Sequence, residues 1–138
     1  MYIVGRVNQG IRREMRARLA PWSLSVQEYT TLSVLDARPG LSNAQLARRA
    51  LVTPQSMIEI LGKLERRGLV QREVDPDHGR ILRAELTPDG SDLLREADPR
   101  IQAIQDAMLE SVPEAERVAA MRAMRAMHIA MHNLSARR

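Results

Sequence analysis

Cysteine and phenylalanine are absent from this 138-residue sequence, and aromatic residues make up only 2% of it. Without cysteine there is no disulfide, thiolate metal site or thiol redox sensor, which is compatible with a reducing cytoplasm. The first ten residues lack the apolar segment of a signal peptide, and no apolar run is long enough to cross a bilayer. We therefore expect a cytoplasmic protein with no membrane partner and with a core of aliphatic and methionine side chains.

Enzyme signatures are also missing. The sequence contains no glycine-rich phosphate loop, no cysteine nucleophile, and no histidine placed with an acid and a serine in a catalytic motif. The chain is too short for two independent catalytic domains. These absences predict that the protein is not an enzyme and needs no cofactor.

The charge balance favours a polyanionic partner. Lysine and arginine number 21 against 17 aspartates and glutamates, a formal net charge of +4. Such a surface can attract nucleic acid, although an arginine-rich proteome would give the same balance. Charge alone therefore leaves both interpretations open.

Helix signals fill the first third of the chain. Apolar residues recur every fourth position from Ile3 to Leu19, which predicts an amphipathic helix ending near Pro21. Ser25 followed by Glu28 is a capping box and predicts a second helix that stops at Pro39-Gly40. Both helices precede the most informative part of the sequence.

Two further helices and a hairpin follow. Ser42 with Gln45 is another capping box, and Thr53-Pro54 predicts an N-cap with proline at the first helical position. The helix after Thr53 has an apolar face and a polar, largely basic face. Two alternating segments, Leu69 to Val74 and Ile81 to Leu86, flank a charged turn and predict a β-hairpin. This order is typical of a winged helix-turn-helix.

The C-terminal third is predicted to be two helices. Thr87-Pro88-Asp89 begins a long helix that Pro113 interrupts, and the last helix is apolar around much of its circumference. Its methionines, from Met121 to Met131, favour a packed dimer seam over a pliable ligand surface. The expected fold class is mainly α with a small β-hairpin wing, a winged helix-turn-helix with N- and C-terminal dimerisation helices.

The helix that begins at Thr53 has the side chains of a DNA-reading helix. Gln55 can pair with adenine, Ser56 can contact either type of base edge, and the cations further along can meet phosphates. On the hairpin, Arg80 could enter a minor groove or bind phosphate; alternatively, it forms an ion pair with Asp75 or Asp77. A merely solvated polar face is the other interpretation.

Residues 25 to 95 resemble the MarR family of bacterial regulators. The resemblance lies in Leu46-Ala47, in the run LERRGLV from Leu64 to Val70, and in the exit LTPDG from Leu86 to Gly90. It implies one MarR-type domain over residues 1–138, with a winged-helix region at 25–94 and dimerisation helices at 1–24 and 95–138. It also implies a homodimeric regulator on a pseudo-palindromic operator.

The resemblance implies a mechanism as well. Family members are usually repressors that release DNA when a small aromatic or phenolic anion binds between the dimer region and the DNA-binding region. This chain departs from the common family pattern at His78-Gly79-Arg80, where Asp-Arg-Arg is frequent, and at Glu59, where a basic or hydroxyl residue is frequent. The alternatives are a non-specific architectural DNA-binding protein and a winged-helix protein-interaction module.

The candidate site residues fall into two groups. The predicted DNA contacts are Ser42, Asn43, Thr53, Pro54, Gln55, Ser56, Glu59, Lys63, Arg66, Arg67 and Arg80. The predicted walls of a ligand site are Met15, Arg16 (or Arg18), Leu19, Trp22 and Tyr29. For Trp22 and Tyr29, plain core packing is the favoured alternative.

One histidine pair has the spacing of two metal ligands. His128 and His132 are four residues apart on the last predicted helix, which places both imidazoles on one face. No cysteine or nearby carboxylate completes a set of about four ligands. We therefore expect a surface or interface pair and no metal.

Overall fold

The computed structural model describes the backbone of residues 1–136 and the side chains of residues 1–131. Within that range the protein is mainly helical, with one small antiparallel sheet. The elements in chain order are α1 (Tyr2–Leu19), a 3₁₀ turn (Ala20–Trp22), α2 (Val26–Ala37), β1 (Leu41–Ser42), α3 (Asn43–Ala50), α4 (Pro54–Arg66), β2 (Val70–Val74), β3 (Leu82–Leu86), α5 (Pro88–Glu110) and α6 (Glu114–Ala136). This order confirms the predicted winged helix-turn-helix between flanking helices.

The predicted capping boxes set the starts of α2 and α3. Glu28 donates its backbone N–H to Ser25 Oγ at 3.1 Å, and the Ser25 N–H donates to Glu28 Oε2 at 2.7 Å. Ser42 and Gln45 repeat the arrangement at 3.4 and 2.9 Å. Each box satisfies two backbone donors that a helix start otherwise leaves unpaired.

The turn between α3 and α4 depends on one residue in the left-handed region. Leu51 ends α3 at φ 57°, and the next residue, Val52, donates its N–H to Ala47 O at 3.0 Å. Thr53 then caps α4 and Pro54 takes its first position. The short turn that results fixes the direction in which α4 leaves α3.

The sheet has one strand more than the predicted hairpin. Its order is β1-β3-β2, with all neighbours antiparallel. Leu41 pairs with Ala84 and Ser42 with Arg83. Two residues are too few to show alternation, and the second of them, Ser42, is also the N-cap of α3, so the sequence pattern did not reveal this strand.

An aliphatic core occupies the first of two compact units, Met1–Ile101. Its fully buried large side chains are Leu19, Leu32, Leu35, Leu46, Met57, Leu61 and Leu64. Trp22 and Tyr29 are only partly buried against this cluster. The prediction of an aliphatic, methionine-containing core is confirmed.

The second unit, Gln102–Arg138, contains the end of α5 and all of α6. The predicted interruption at Pro113 is confirmed, since α5 ends at Glu110 and α6 begins at Glu114. Val118, Met124 and Met127 of α6 are exposed. No helix of the described residues combines the length and the apolar character that a membrane span requires.

Gly90 lies where the first turn of α5 crosses the end of the segment between α4 and β2. Thr87 caps this turn by accepting the Gly90 N–H at 3.1 Å, and the Thr87 N–H donates to Leu69 O at 3.1 Å. A Cβ on Gly90 would lie 2.0 Å from Leu69 O, a backbone atom. The close approach therefore requires glycine.

We expect Gly90→Ala to lower the free energy of unfolding by about 1–3 kcal/mol, because α5 has to move away from Leu69. Urea unfolding at a fixed protein concentration measures this change. Gly79→Ala is the control, since a Cβ there meets nothing within 4 Å. Equal destabilisation by both substitutions would contradict the close-approach argument.

A buried carboxylate lies where β2 enters the connecting loop of the wing, the β2–β3 hairpin. Asp75 is only 4% exposed, and it accepts the Asp77 N–H at 2.9 Å and Arg83 Nε at 2.7 Å. Arg83 also donates to Gly40 O at 3.0 Å. The Asp77 N–H, followed by the Arg83 guanidinium, holds the pKa of Asp75 below its ordinary value of 3.8.

Asp75→Asn should lower the thermal unfolding temperature at neutral pH. The pKa of Asp75 is lower in the folded state, so its ionised form contributes stability above pH 3.8 that is lost as the pH falls through the folded-state pKa. The gap between parent and variant should therefore narrow below that value in a calorimetric pH series. Asp77→Asn is the control, and a gap independent of pH would count against the assigned role.

Candidate nucleic-acid interface

The two faces of α4 differ in chemistry. One face is buried through Met57, Ile60, Leu61 and Leu64. On the other face lie exposed polar and charged side chains at helical spacing, namely Gln55, Glu59, Lys63 and Arg66. Helix α4 thus carries the exposed stripe that a helix needs to enter a DNA major groove.

The first turn of α4 holds two hydroxyls in contact. Thr53 Oγ1 accepts the Ser56 N–H at 3.1 Å and donates to Ser56 Oγ at 2.9 Å. The Ser56 hydroxyl hydrogen remains available for another acceptor, whereas Thr53 is committed to the cap. Pro54 and Gln55 are exposed beside them. The first turn therefore presents Gln55 and Ser56 as the side chains that can reach a base edge.

Ser42 and Asn43 have structural contacts. Ser42 caps α3, and Asn43 Nδ2 donates to Pro54 O at 3.1 Å, which joins the starts of α3 and α4. Asn43 Oδ1 is buried and has no hydrogen-bond partner among the described residues. Both side chains thus help to position α4, whereas the sequence analysis predicted that they contact DNA.

The three cations at the end of α4 differ in their partners. Arg67 donates to Trp22 O at 2.6 Å and to Ser23 O at 3.1 Å, so its guanidinium joins the end of α4 to the α1–α2 turn. Lys63 and Arg66 are exposed and form no hydrogen bond or ion pair with the described residues. The nearby Glu65 is paired with Arg72. Lys63 and Arg66 are therefore the free cations of α4 within the described chain.

Arg80 lies exposed at the tip of the wing. The sequence left open an ion pair between Arg80 and Asp75 or Asp77, and the structure does not contain this pair. Asp75 is instead paired with Arg83, and its carboxylate lies 3.7 Å from His78 Nδ1. Arg80 has no ion pair within the part of the chain that the structure describes. Its guanidinium is thus free to meet DNA.

The predicted ligand residues differ in burial. Leu19 is fully buried in the core, and Met15 is packed against it. Arg16 is exposed, and Arg18 Nη1 donates to Arg100 O at 3.0 Å. Leu19 therefore has no surface that a ligand could touch.

The two aromatic residues of that group are joined to α5. Tyr29 OH donates to Asp98 Oδ1 at 2.8 Å; burial, together with this carboxylate, raises the pKa of Tyr29 to about 12. Trp22 Nε1 donates to Glu96 Oε2 at 3.3 Å, and Arg100 Cζ lies 4.9 Å from the centre of the indole ring. Both rings thus have defined structural partners.

A cleft of about 610 Å³ opens beside Trp22, between the α1–α2 turn and the C-terminal half of α4. It combines basic, aromatic and apolar side chains with one carboxylate. Its lining residues are Pro21, Trp22, Ser23, Glu28, Lys63, Arg66, Arg67 and Leu93. Of the predicted ligand residues, only Trp22 is among them.

The side chains of residues 1–131 contain no cluster of three or more histidine, cysteine or acidic residues that could hold a metal ion. His128 is exposed on α6, and the side chain of its predicted neighbour His132 lies outside the described residues. The pair therefore stays a prediction.

Ile58 is 49% exposed on α4 between Gln55 and Glu59, in line with the resemblance, which implies that Thr53 to Ile58 face the major groove. One residue near this surface was not predicted. Arg83 was missed because its partners Asp75 and Gly40 are joined to it only by folding.

Comparison with known proteins places this architecture in a family. The model of the MarR family matches residues 22–81. The HTH-type transcriptional repressor Rv2887 of Mycobacterium tuberculosis is 41% identical over 108 residues, which cover 78% of each chain.

Solved structures agree with this match. A structure of Rv2887 in complex with DNA has a TM-score of 0.77 and 33% identity, covering 91% of this chain and 94% of that one. A structure of Rv2887 in complex with salicylic acid has a TM-score of 0.74 and 36% identity, covering 91% and 93%. With its capped α3–α4 pair and its wing, the protein described here belongs to the MarR family.

Proposed function

We propose that this protein is a homodimeric, sequence-specific DNA-binding transcriptional repressor that a small aromatic or phenolic anion releases from its operator. The observation that carries the proposal is the exposed stripe of α4, held in place by the capped α3–α4 turn. The relative Rv2887, whose structures contain DNA or salicylic acid, supports both partners.

Base readout is assigned to the N-terminal half of α4. Gln55 can form two hydrogen bonds with adenine, and Glu59 can accept from the amino group of cytosine. The exposed Ile58 between them suits the methyl group of thymine. Glu59 repels phosphates, so its place in the groove favours a base contact over a backbone contact.

Phosphate contacts are assigned to Lys63, Arg66 and Arg80. Their exposure and their lack of partners among the described residues support this role. Arg67 is left out, because its guanidinium already donates to two backbone carbonyls. The contacts of Ser42 and Asn43 favour a positioning role over direct DNA contact.

Dimerisation is assigned to residues 1–24 and 95–138. Ile3, Val4 and Val7 of α1 are exposed, and so are several apolar side chains of α6. Exposed apolar side chains of this number are typical of surfaces that a partner covers. A dimer with its reading helices about 34 Å apart would bind half-sites roughly ten base pairs apart.

Release follows from a difference in affinity. An anion that binds better to a conformer with the wrong spacing of reading helices, or that occupies their cations, lowers DNA affinity by its differential binding free energy. In this proposal the protein acts in the cytoplasm, occludes a promoter and catalyses no reaction.

The operator can be found by selecting fragments of the source genome with the purified protein at a stated salt concentration. A sharp palindromic motif is the expected result. Salt-sensitive binding without a motif would favour an architectural DNA-binding protein, and no binding would favour a protein-interaction module.

With that operator, Gln55→Ala should relax specificity at one base position, because it removes a bidentate base contact worth about 1–3 kcal/mol. Arg80→Ala should instead weaken binding to most sequences and reduce the salt dependence, because it removes a phosphate or groove cation. Fluorescence anisotropy on single-base operator variants at several salt concentrations measures both effects.

Arg38→Ala is the matched control for Arg80→Ala, since Arg38 is also an exposed arginine and lies outside both the assigned DNA contacts and the assigned dimerisation helices. It should bind as the parent does. Parental affinity and specificity in the Gln55 and Arg80 variants would refute the assigned interface.

Light scattering at micromolar concentration should give the mass of a dimer. Val7→Asp should shift that mass toward the monomer, because it places a charge on the exposed apolar surface of α1. Leu51→Asp is the control: Leu51 is 69% exposed, but it lies in the α3–α4 turn. A monomeric parent would contradict the proposed dimer.

A further inference from the structure

One face of the wing packs on the core only at its base. Three cross-strand pairs share this face: Val70 with Leu86, Arg72 with Ala84, and Val74 with Leu82. Val70 and Ala84 are buried in the core, whereas Val74 is 57% exposed and Leu82 is 43% exposed. The face therefore continues beyond the core, and its last pair is an exposed apolar pair.

Ile81 extends this exposed apolar surface toward the turn of the wing. It follows Arg80 in the chain and is itself exposed. Its carbonyl accepts the Asp75 N–H at 2.8 Å, a hydrogen bond that closes the turn. Together with Val74 and Leu82 it forms a surface that we name the apolar tip. The apolar tip is thus continuous with the free guanidinium assigned to DNA.

Charge alone would hold this part of the wing weakly on DNA. Residues 74–83 contain two aspartates and two arginines, so their formal charges cancel. Asp75 and Arg83 are paired with each other, which leaves Asp77 and Arg80. Asp77 is exposed and repels phosphates. A wing that stays on DNA therefore needs an uncharged contribution as well.

The length of the wing matches the distance between two neighbouring DNA grooves. Strand β2 has five residues, and at about 3.4 Å per residue it is about 17 Å long. Its base directly follows α4 in the chain. Half a helical turn of DNA, which separates a major groove from the next minor groove, is also about 17 Å. With α4 in a major groove, the wing is long enough to reach the adjacent minor groove.

A minor groove offers surfaces that suit both parts of the tip. It is flanked by deoxyribose rings, whose carbon–hydrogen surface can contact apolar side chains, and minor-groove proteins commonly place apolar side chains there. A narrow minor groove also attracts a guanidinium such as that of Arg80. A protein partner fits less well, because three side chains are far fewer than the roughly 20–30 residues per side of a stable protein interface.

We propose that the apolar tip packs against the deoxyribose walls of the operator's minor groove while Arg80 enters that groove. The proposal rests on the proposed function and adds an uncharged contact to the DNA surface. It assigns a role to Val74, Ile81 and Leu82, which the alternating pattern identifies only as strand residues. Apolar contacts release no counterions, so they contribute affinity that does not depend on salt concentration.

The double variant Val74→Thr/Leu82→Thr tests this contact, because it removes apolar surface and introduces β-branched residues that favour strands. On the selected operator we expect at least about tenfold weaker binding, since methyl and methylene groups are lost from both subunits of the dimer. The slope of affinity against salt concentration should stay that of the parent, because no cation is lost. Fluorescence anisotropy at several salt concentrations measures both quantities.

Gln71→Thr is the matched control. Gln71 is exposed on the opposite face of β2, where it pairs with Glu85, and it lies outside the assigned DNA contacts. The control should bind the operator as the parent does. Calorimetry should give a less negative heat-capacity change of binding for the double variant and an unchanged one for the control, because this quantity follows the apolar surface that binding buries.

Thermal unfolding shows whether each variant is folded, and light scattering gives its mass. Parental affinity of a folded double variant would overturn the proposal and leave the proposed function standing. Weaker binding with a flatter salt dependence would overturn it too, because the loss would then be that of the Arg80 contact. Weaker binding with a reduced mass would instead make the apolar tip an interface between copies of this chain. If the parent selects no operator, both proposals fail.

Discussion

Helix α4 can expose its polar face to solvent and DNA only because its opposite face is buried in the core. The rest of the structure depends on this constraint. Met57, Leu61 and Leu64 enter an aliphatic core that contains no fully buried aromatic ring. Each such side chain contributes roughly 1.5–3 kcal/mol relative to exposure. The rotation of α4 about its axis is therefore set by packing, which places Gln55 and Glu59 outward without any contact of their own.

Local chemistry explains why so much of this fold could be predicted from the sequence. A capping box such as Ser25 with Glu28 lies within four residues, so its hydrogen bonds depend on spacing alone. The same holds for Thr53 with Pro54 and for the helix break at Pro113. Strand β1 was missed because its partner Ala84 lies far along the chain and two residues carry no period.

The free cations of the candidate DNA surface were harder to predict, because a charged side chain can pair with a group that is distant in the sequence. Arg67 reads as a phosphate anchor in the sequence, yet its acceptors are the carbonyls of Trp22 and Ser23. The sequence left open an ion pair of Arg80 with Asp75 or Asp77, whereas in the folded chain Asp75 is paired with Arg83. Composition and spacing identify which residues are cations, but only the fold decides which cations remain free.

The two arginines at the end of α4 differ in role: Arg66 is free, whereas Arg67 connects the helix to the α1–α2 turn. If Arg67 were free like Arg66, the end of α4 would gain a phosphate contact and lose its connection to the α1–α2 turn. Arg67 donates to the backbone carbonyl of Trp22, and the indole of Trp22 donates to Glu96 of α5, so residue Trp22 joins the end of α4 to α5 through hydrogen bonds. The connection between α4 and the α1–α2 turn thus uses a cation whose donors are already engaged within the protein.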